Sequence, residues 1–236
     1  QQALSSDTLG SGAVAIGHNA LFAQNFTSAT SNYNVAIGYK SGESVTTGTL
    51  NTFVGGLAGD ANTTGTANNA FGYDALGSNA TGSENNAFGR NALGANTANG
   101  NSAFGHRALQ ANTSGTGNVA FGHSALTANT TGLENTAVGH ESLDANTTGN
   151  YNTAVGQGSL SANTTGGQNS AFGQDALLSN TASNNTAVGY SAAYSNTSGT
   201  ELTALGRVAL GANTTGNYNT AVGAYALDAN TTGSNN

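Results

Sequence analysis

The sequence contains no cysteine, proline, methionine or tryptophan, and only 6% of its 236 residues are charged. The absence of cysteine excludes disulfide bonds and thiolate metal sites together. Only four residues are Lys or Arg and eleven are Asp or Glu, which gives a net charge of −7. Because a phosphate backbone needs a dense basic surface, we expect no nucleic-acid partner. The same shortage of basic residues argues against binding to an anionic membrane surface.

Long apolar runs are also missing. No stretch of about 20 apolar residues occurs, so we expect no insertion into a membrane. No charged-then-apolar signal peptide opens the chain. A start at Gln1 is compatible with a processed, exported protein.

Glycine is abundant, with 35 residues. One glycine follows an apolar pair at regular intervals along the whole chain. Successive members of this set are 17 residues apart at nine of twelve steps, 16 apart at two and 21 apart at one. Such regularity requires a structural unit of constant length. The members are Gly17, Gly38, Gly55, Gly72, Gly89, Gly105, Gly122, Gly139, Gly156, Gly173, Gly189, Gly206 and Gly223.

Other residue types keep fixed positions relative to this glycine. An apolar residue precedes it, and in most repeats a leucine follows four places later and asparagines stand four places before and seven places after it. We predict that the apolar residue before the glycine and the leucine after it form the core. We predict that the asparagines form hydrogen-bonded ladders. The predicted core residues include Phe121, Val138, Val155 and Phe172 before the glycine, and Leu126, Leu143 and Leu177 after it. The predicted ladder residues include Asn118, Asn135 and Asn152 in one column, and Asn129, Asn146 and Asn163 in the other.

The period selects the fold class. Seventeen residues are too few for two packed helices, and the content of Gly, Asn and Thr disfavours helix. We predict an all-β fold, a parallel β-solenoid (β-roll) of about thirteen 17-residue coils. Residues 1–236 are expected to form a single repeat domain, with a longer coil or loop near residues 22–33. Gly and Asn are expected at the left-handed turn positions, and thirteen coils at ~4.8 Å each would make a rod on the order of 60 Å long.

The apolar pair before each glycine leaves two arrangements open. Successive strand residues point to opposite faces, so Ala137 and Val138 cannot both face the interior of one flat strand. Either a bend turns both inward, or one column faces outward. An outward apolar column would be a large exposed patch, which usually marks an interface, and it favours lateral self-association of two or three chains.

The repeat is cut in mid-period at both ends of the sequence. Gln1 falls just after the position of a repeat glycine, and Asn236 is the first asparagine of a further coil. Open solenoid ends expose unpaired strand edges. We therefore expect either a segment of a longer rod or end-to-end stacking of subunits.

The stretches 13–17 and 34–38, which read Ala-Val-Ala-Ile-Gly and Asn-Val-Ala-Ile-Gly, resemble the head repeats (Hep/Hag type) of trimeric autotransporter adhesins. The fuller form, with Asn152–Gly156 followed by Asn163–Gly166, is similar to repeat arrays of phage-type tail fibres and bacterial surface fibres. The resemblance covers nearly the whole chain. It implies a left-handed β-roll, assembly of three chains and a place on a cell surface. The adhesin head period is nearer fourteen residues than seventeen, and no coiled-coil stalk follows here.

Three histidines occupy the position after the repeat glycine on successive coils: His106, His123 and His140. Stacked imidazoles can share a metal ion or act as a pH-sensitive strip. The same position holds Tyr, Arg or Gln in other coils, which favours an exposed variable column. We predict no metal site and no cofactor.

No constellation typical of an enzyme is present. The acidic residues are scattered, no serine has a nucleophile-elbow context, and no glycine-rich stretch has the Lys-Ser/Thr of a phosphate-binding loop. Paired threonines such as Thr147-Thr148 recur in the layout of ice-binding proteins, and this remains an alternative.

These observations predict a non-enzymatic structural repeat protein, an extracellular or cell-surface fibre, filament or adhesin segment. Its expected partner is a further copy of itself, through end-to-end stacking or lateral trimerisation. A host surface or matrix is a second candidate partner. The alternatives are an ice-binding β-solenoid and a shaft segment of a phage tail fibre.

Overall fold

The computed structural model describes residues 2–236, which contain fifteen short β-strands and no helix. The strands are β1 (Gly10–Ser11), β2 (Val14–Ile16), β3 (Thr30–Ser31), β4 (Val35–Ile37), β5 (Thr52–Val54), β6 (Asn69–Phe71), β7 (Asn86–Phe88), β8 (Ser102–Phe104), β9 (Val119–Phe121), β10 (Thr136–Val138), β11 (Thr153–Val155), β12 (Ser170–Phe172), β13 (Thr186–Val188), β14 (Thr203–Leu205) and β15 (Thr220–Val222).

The chain consists of two compact units, unit 1 (Gln1–Gly117) and unit 2 (Asn118–Asn236). In unit 1, β2 and β4 to β8 pair in parallel, each with the strand of the next coil. In unit 2, β9 to β15 pair in the same way, and Ala137 lies opposite Ala154. Each unit is therefore a parallel β-solenoid, and the prediction of an all-β solenoid of about thirteen coils is confirmed.

The segment 22–33, expected to be a longer coil or loop, contains a strand of its own. In this segment β3 pairs in parallel with β1, and Thr30 lies opposite Gly10. The side chains of Gln24 and Phe26 are buried. The additional residues therefore contribute to the interior of unit 1.

In the three-residue strands the middle residue is the most buried, and the two flanking residues are more exposed. In β10 the side chain of Ala137 is fully buried, whereas Thr136 and Val138 are half-buried. This alternation is that of a flat strand. The bend that would have turned both apolar residues inward does not occur.

Part of the predicted core was therefore wrong. The side chains of Phe121 and Phe172 are 57% and 42% exposed, and Val138 and Val155 are only half-buried. These four residues flank the inward alanine on a flat strand, so they point away from the core. The structure places Leu126, Leu143 and Leu177 in the interior with no exposed surface, beside the alanine column.

One coil of unit 1 exchanges the sizes of these two inner columns. Phe53 stands in the alanine column and is fully buried. Gly59 stands in the leucine column of that coil, and Gly42 stands in the leucine column of the coil before it. A Cβ atom would lie 2.9 Å from Phe53 Cδ2 at Gly42, and 2.6 Å from Phe53 Cε1 at Gly59. The phenyl ring therefore fills space that leucine side chains occupy elsewhere.

The turns use left-handed backbone at positions that are not glycine or asparagine. Leu143 and Leu177 both have a φ of 52°, while ladder residues such as Asn146 have no positive φ. The expectation that asparagine takes these positions was wrong for the ladder columns. A left-handed residue costs roughly 1–2 kcal/mol, and burial of a leucine side chain contributes about 1.5–3 kcal/mol in return. Burial therefore outweighs the backbone preference at this column.

The two asparagine columns form the ladders that the spacing predicts. Asn135 Nδ2 donates to Asn118 Oδ1 at 3.2 Å and to the Gly149 carbonyl at 2.8 Å. In the second column, Asn146 Nδ2 donates to Asn129 Oδ1 at 2.9 Å, and Asn163 Nδ2 donates to Asn146 Oδ1 at 3.1 Å. Asn152 continues the first column through its backbone N–H, which donates to Asn135 Oδ1 at 2.9 Å. These side chains are buried, so each bond satisfies a polar group that water does not reach.

Candidate functional site: the outward face of the sheet

The outward-pointing residues of β2 and of β4 to β15 have a similar composition from coil to coil. The first residue of each sheet strand is Thr, Ser, Asn or Val, and the third is Val, Phe, Ile or Leu. No charged residue occurs in any of these strands within residues 2–236. A column of small, mostly polar side chains thus runs beside a column of apolar side chains. We call the first and third strand residues the outward face.

In unit 1 the apolar column of the outward face includes stacked phenylalanines. The ring centroids of Phe71 and Phe88 are 4.7 Å apart, and those of Phe88 and Phe104 are 4.8 Å apart. The ring planes of the two pairs differ by 8° and 7°. These distances match the spacing of hydrogen-bonded strands. The rings therefore form a continuous apolar surface instead of isolated patches.

The apolar column of unit 2 is also exposed to solvent. Phe121, Phe172 and Leu205 have exposed fractions of 57%, 42% and 38%. Single exposed apolar residues are ordinary, but a contiguous row of them marks an interaction surface. The row lies beside Thr136, Thr153 and their equivalents, which are paired in register from coil to coil.

The sequence did not identify the threonine column on this face. The columns that it did identify, Thr147-Thr148 and their equivalents, lie in turns. Thr147 Oγ1 donates to the Thr164 carbonyl at 3.0 Å, and Thr214 Oγ1 donates to the Thr231 carbonyl at 3.0 Å. The first hydroxyl of each of these pairs therefore holds neighbouring coils together.

The structure brings His123 and His140 into contact. The rings of His123 and His140 stack with centroids 5.0 Å apart and an interplanar angle of 11°. His106 belongs to unit 1, where its Nε2 lies 2.7 Å from Arg90 Nη2. Glu141, which the sequence reasoning missed, places its Oε2 atom 3.6 Å from His140 Nδ1. All three residues of the His123, His140 and Glu141 group are exposed.

Unit 2 also carries a surface cleft of about 400 Å³. The register of the backbone hydrogen bonds places Gly211 beside Tyr194 on the neighbouring coil. Because glycine has no side chain, this pairing leaves room above the tyrosine. The residues lining the cleft are Asp175, Tyr190, Ser191, Tyr194, Val208 and Gly211.

Several carboxyl groups are partly withdrawn from water. Burial raises the pKa of Asp60, Asp74 and Asp144 above the ordinary aspartate value. A hydrogen bond from Asn91 opposes the rise in the pKa of Asp74. The Oδ1 atom of Asp144 is buried and has no hydrogen-bond partner among the described residues. These carboxyls lie on different coils.

Comparison of the chain with models of protein families, with curated proteins and with solved structures gives no match. Within residues 2–236 there is no helix of the length and apolarity that crossing a membrane requires.

Proposed function

We propose that this chain is a non-enzymatic structural segment of an extracellular or cell-surface fibre, and that it assembles with copies of itself through the outward face. The observation that carries this proposal is the uncharged outward face with its continuous apolar column. Protein interfaces have cores that are depleted in charge and enriched in aromatic and apolar residues. The outward face has that composition in both units.

The repeat makes lateral association additive. Each coil that meets a partner buries one more apolar side chain, and hydrophobic burial is roughly proportional to the apolar area removed from water. The loss of translational and rotational freedom is incurred once per association event. Affinity is therefore expected to rise with the number of coils in contact. Recognition of a host surface or matrix by such a fibre is a further part of the proposal.

Sedimentation velocity over a range of protein concentrations tests the assembly. In the test variant, Val138, Val155 and Val188 are each replaced by Thr, which keeps the shape of valine but adds a hydroxyl. We expect the wild type to associate and this variant to remain smaller at the same concentration. The matched control replaces Tyr151 and Tyr218, which are 52% and 61% exposed outside the strands, by Ser. A monomeric wild type, or equal association of the wild type and the threonine variant, would contradict the proposal.

Ice binding is a second candidate function for the same face. An in-register column on an uncharged sheet presents hydroxyl groups, with a methyl group at every position except Ser170: Thr136, Thr153, Ser170, Thr186, Thr203 and Thr220. A thermal-hysteresis measurement separates the two functions. A gap between the freezing and melting points would favour ice binding, and its absence would remove this candidate.

A further inference from the structure

We propose that His123, His140 and Glu141 form a binding site for a divalent transition-metal ion. Two imidazoles and one carboxylate are a ligand set that Zn²⁺, Ni²⁺ and Cu²⁺ accept. The two histidines come from consecutive coils, and the glutamate directly follows the second histidine. None of the three residues belongs to the outward face, so the site does not rest on the proposed assembly.

The three side chains already lie close enough to share an ion. One ligand atom from each residue lies within 4.8 Å of the ligand atoms of the other two. His140 Nδ1 and Glu141 Oε2 are 3.6 Å apart. Metal–ligand bonds of about 2.0–2.2 Å bring two ligands of one ion to within roughly 4 Å of each other. Rotation of the exposed side chains, which turns the stacked rings toward one ion, is then needed to complete the site.

The backbone fixes the positions from which these side chains start. The Glu141 N–H donates to the His123 carbonyl at 3.0 Å, and the Gly158 N–H donates to the His140 carbonyl at 3.1 Å. The first bond holds the two histidine-bearing coils in register, and the second joins the coil of His140 to the coil that follows it. Glu141 has a φ of 53°, and this left-handed conformation accompanies the approach of its carboxylate to His140. Metal binding therefore has to order only side-chain torsions.

The charge around the site favours a cation. The carboxylate of Glu141 is a ligand, and the nearby carboxyl of Asp144 feels its negative charge. Because the three ligands are exposed, the remaining coordination positions stay open to water or to a ligand from another molecule. The site is therefore suited to reversible capture of an ion from solution.

Titration of the full-length, metal-free chain with Cu²⁺ and with Zn²⁺ in a calorimeter tests the site. We expect one dominant site per chain for each ion. His123→Gln and His140→Gln should each weaken binding by about tenfold or more, and Glu141→Gln should weaken it less. His18→Gln serves as the matched control, because His18 stacks on Tyr39 in unit 1 with ring centroids 5.5 Å apart. The control is expected to bind as the wild type does.

Electron paramagnetic resonance of the Cu²⁺ complex gives a second readout. The wild-type spectrum should show coupling to two imidazole nitrogens, and each histidine variant should show fewer. Since the replaced side chains are exposed, circular dichroism should show the same fold for all variants. Equal affinity of the wild type and His140→Gln would overturn the proposal, as would a loss in His18→Gln as large as that in His140→Gln.

Discussion

At the scale of single residues, the repeat glycine is fixed by the next coil. Gly55 has a φ of 137°, and a Cβ atom there would lie 2.5 Å from the Gly72 carbonyl oxygen. The neighbouring residue, Gly56, has no such restriction, because its Cβ would lie 3.5 Å from Tyr73, an ordinary contact. Two adjacent glycines thus have different reasons to be present.

We predict that Gly55→Ala is strongly destabilising and Gly56→Ala is not. The first change combines backbone strain with a steric clash, each of about 1–3 kcal/mol. The second should change the free energy of unfolding by less than about 1 kcal/mol. Urea denaturation of the two variants measures the difference. Equal stability of the two variants would show that close packing of coils does not fix the repeat glycine.

Asp144 provides a prediction about pH. Burial raises the pKa of its carboxyl in the folded state, so the folded protein holds the proton more tightly than the unfolded chain does. Stability is therefore lost as the pH rises from the ordinary value of 3.8 through the raised value. Asp144→Asn removes the buried charge. It should raise the melting temperature by a few degrees at neutral pH and leave it unchanged at about pH 3.

The matched control for Asp144 is Asp228→Asn. Asp228 stands at the equivalent position of another coil and is exposed. Its replacement should leave the melting temperature unchanged at both pH values. A melting temperature of Asp144→Asn at or below that of the wild type at neutral pH would contradict the argument from burial.

At the scale of the strand and the coil, the sequence predicted the coil length and the ladders but not which apolar column faces inward. Alternation shows only that Ala137 and Val138 point to opposite sides. Size and hydrophobicity favour valine as the core residue, and this preference gave the wrong result. The leucine side chains share the interior with the alanine methyl groups, and the larger Phe53 occurs where Gly42 and Gly59 replace leucine. The sequence did contain the deciding signal, since Phe53 in the alanine column coincides with Gly42 and Gly59 in the leucine column.

Because Phe53 fills space that leucine side chains fill in other coils, we predict that leucine at two glycine positions restores the stability lost when Phe53 is replaced by alanine. Phe53→Ala alone leaves a cavity and should cost about 3–5 kcal/mol, and Gly59→Leu alone overfills the core and should cost about 1–3 kcal/mol or more. The triple variant Phe53→Ala, Gly42→Leu and Gly59→Leu should recover most of the stability. Its backbone suits leucine, because Gly42 and Gly59 have φ values of 59° and 57°, close to those of the leucine column. Urea denaturation of the single and triple variants measures the coupling; additive losses would show that the two columns do not share one space.

The sequence also did not predict which turn residues have a positive φ. Glycine and asparagine are the usual residues with positive φ, whereas this fold places leucine and Glu141 there as well. Tertiary packing decides the leucine positions, because the buried leucine side chain offsets the backbone strain. The position of Glu141 beside the histidine pair follows from this turn geometry, which explains why the sequence reasoning missed that residue.

At the scale of the whole molecule, repetition places the same exposed apolar residue in successive coils, and together these residues form a surface. A single exposed valine has no meaning by itself, but the same position in every coil gives an uncharged apolar column in each unit. The sequence left lateral association and a bent strand as alternatives, and the flat strands remove the bend. Association through the outward face and a place in a surface fibre stay predictions, as does the resemblance to adhesin head repeats.

The most direct test of assembly through the outward face is disulfide cross-linking between chains. The chain has no cysteine, so one introduced thiol reports its own surroundings. Val155→Cys places the thiol on the outward face, and Thr148→Cys places it at an exposed turn as the control. Mild oxidation should convert Val155→Cys to covalent dimers at concentrations at which Thr148→Cys stays monomeric. Equal cross-linking of the two variants, or none in Val155→Cys, would contradict assembly through the outward face.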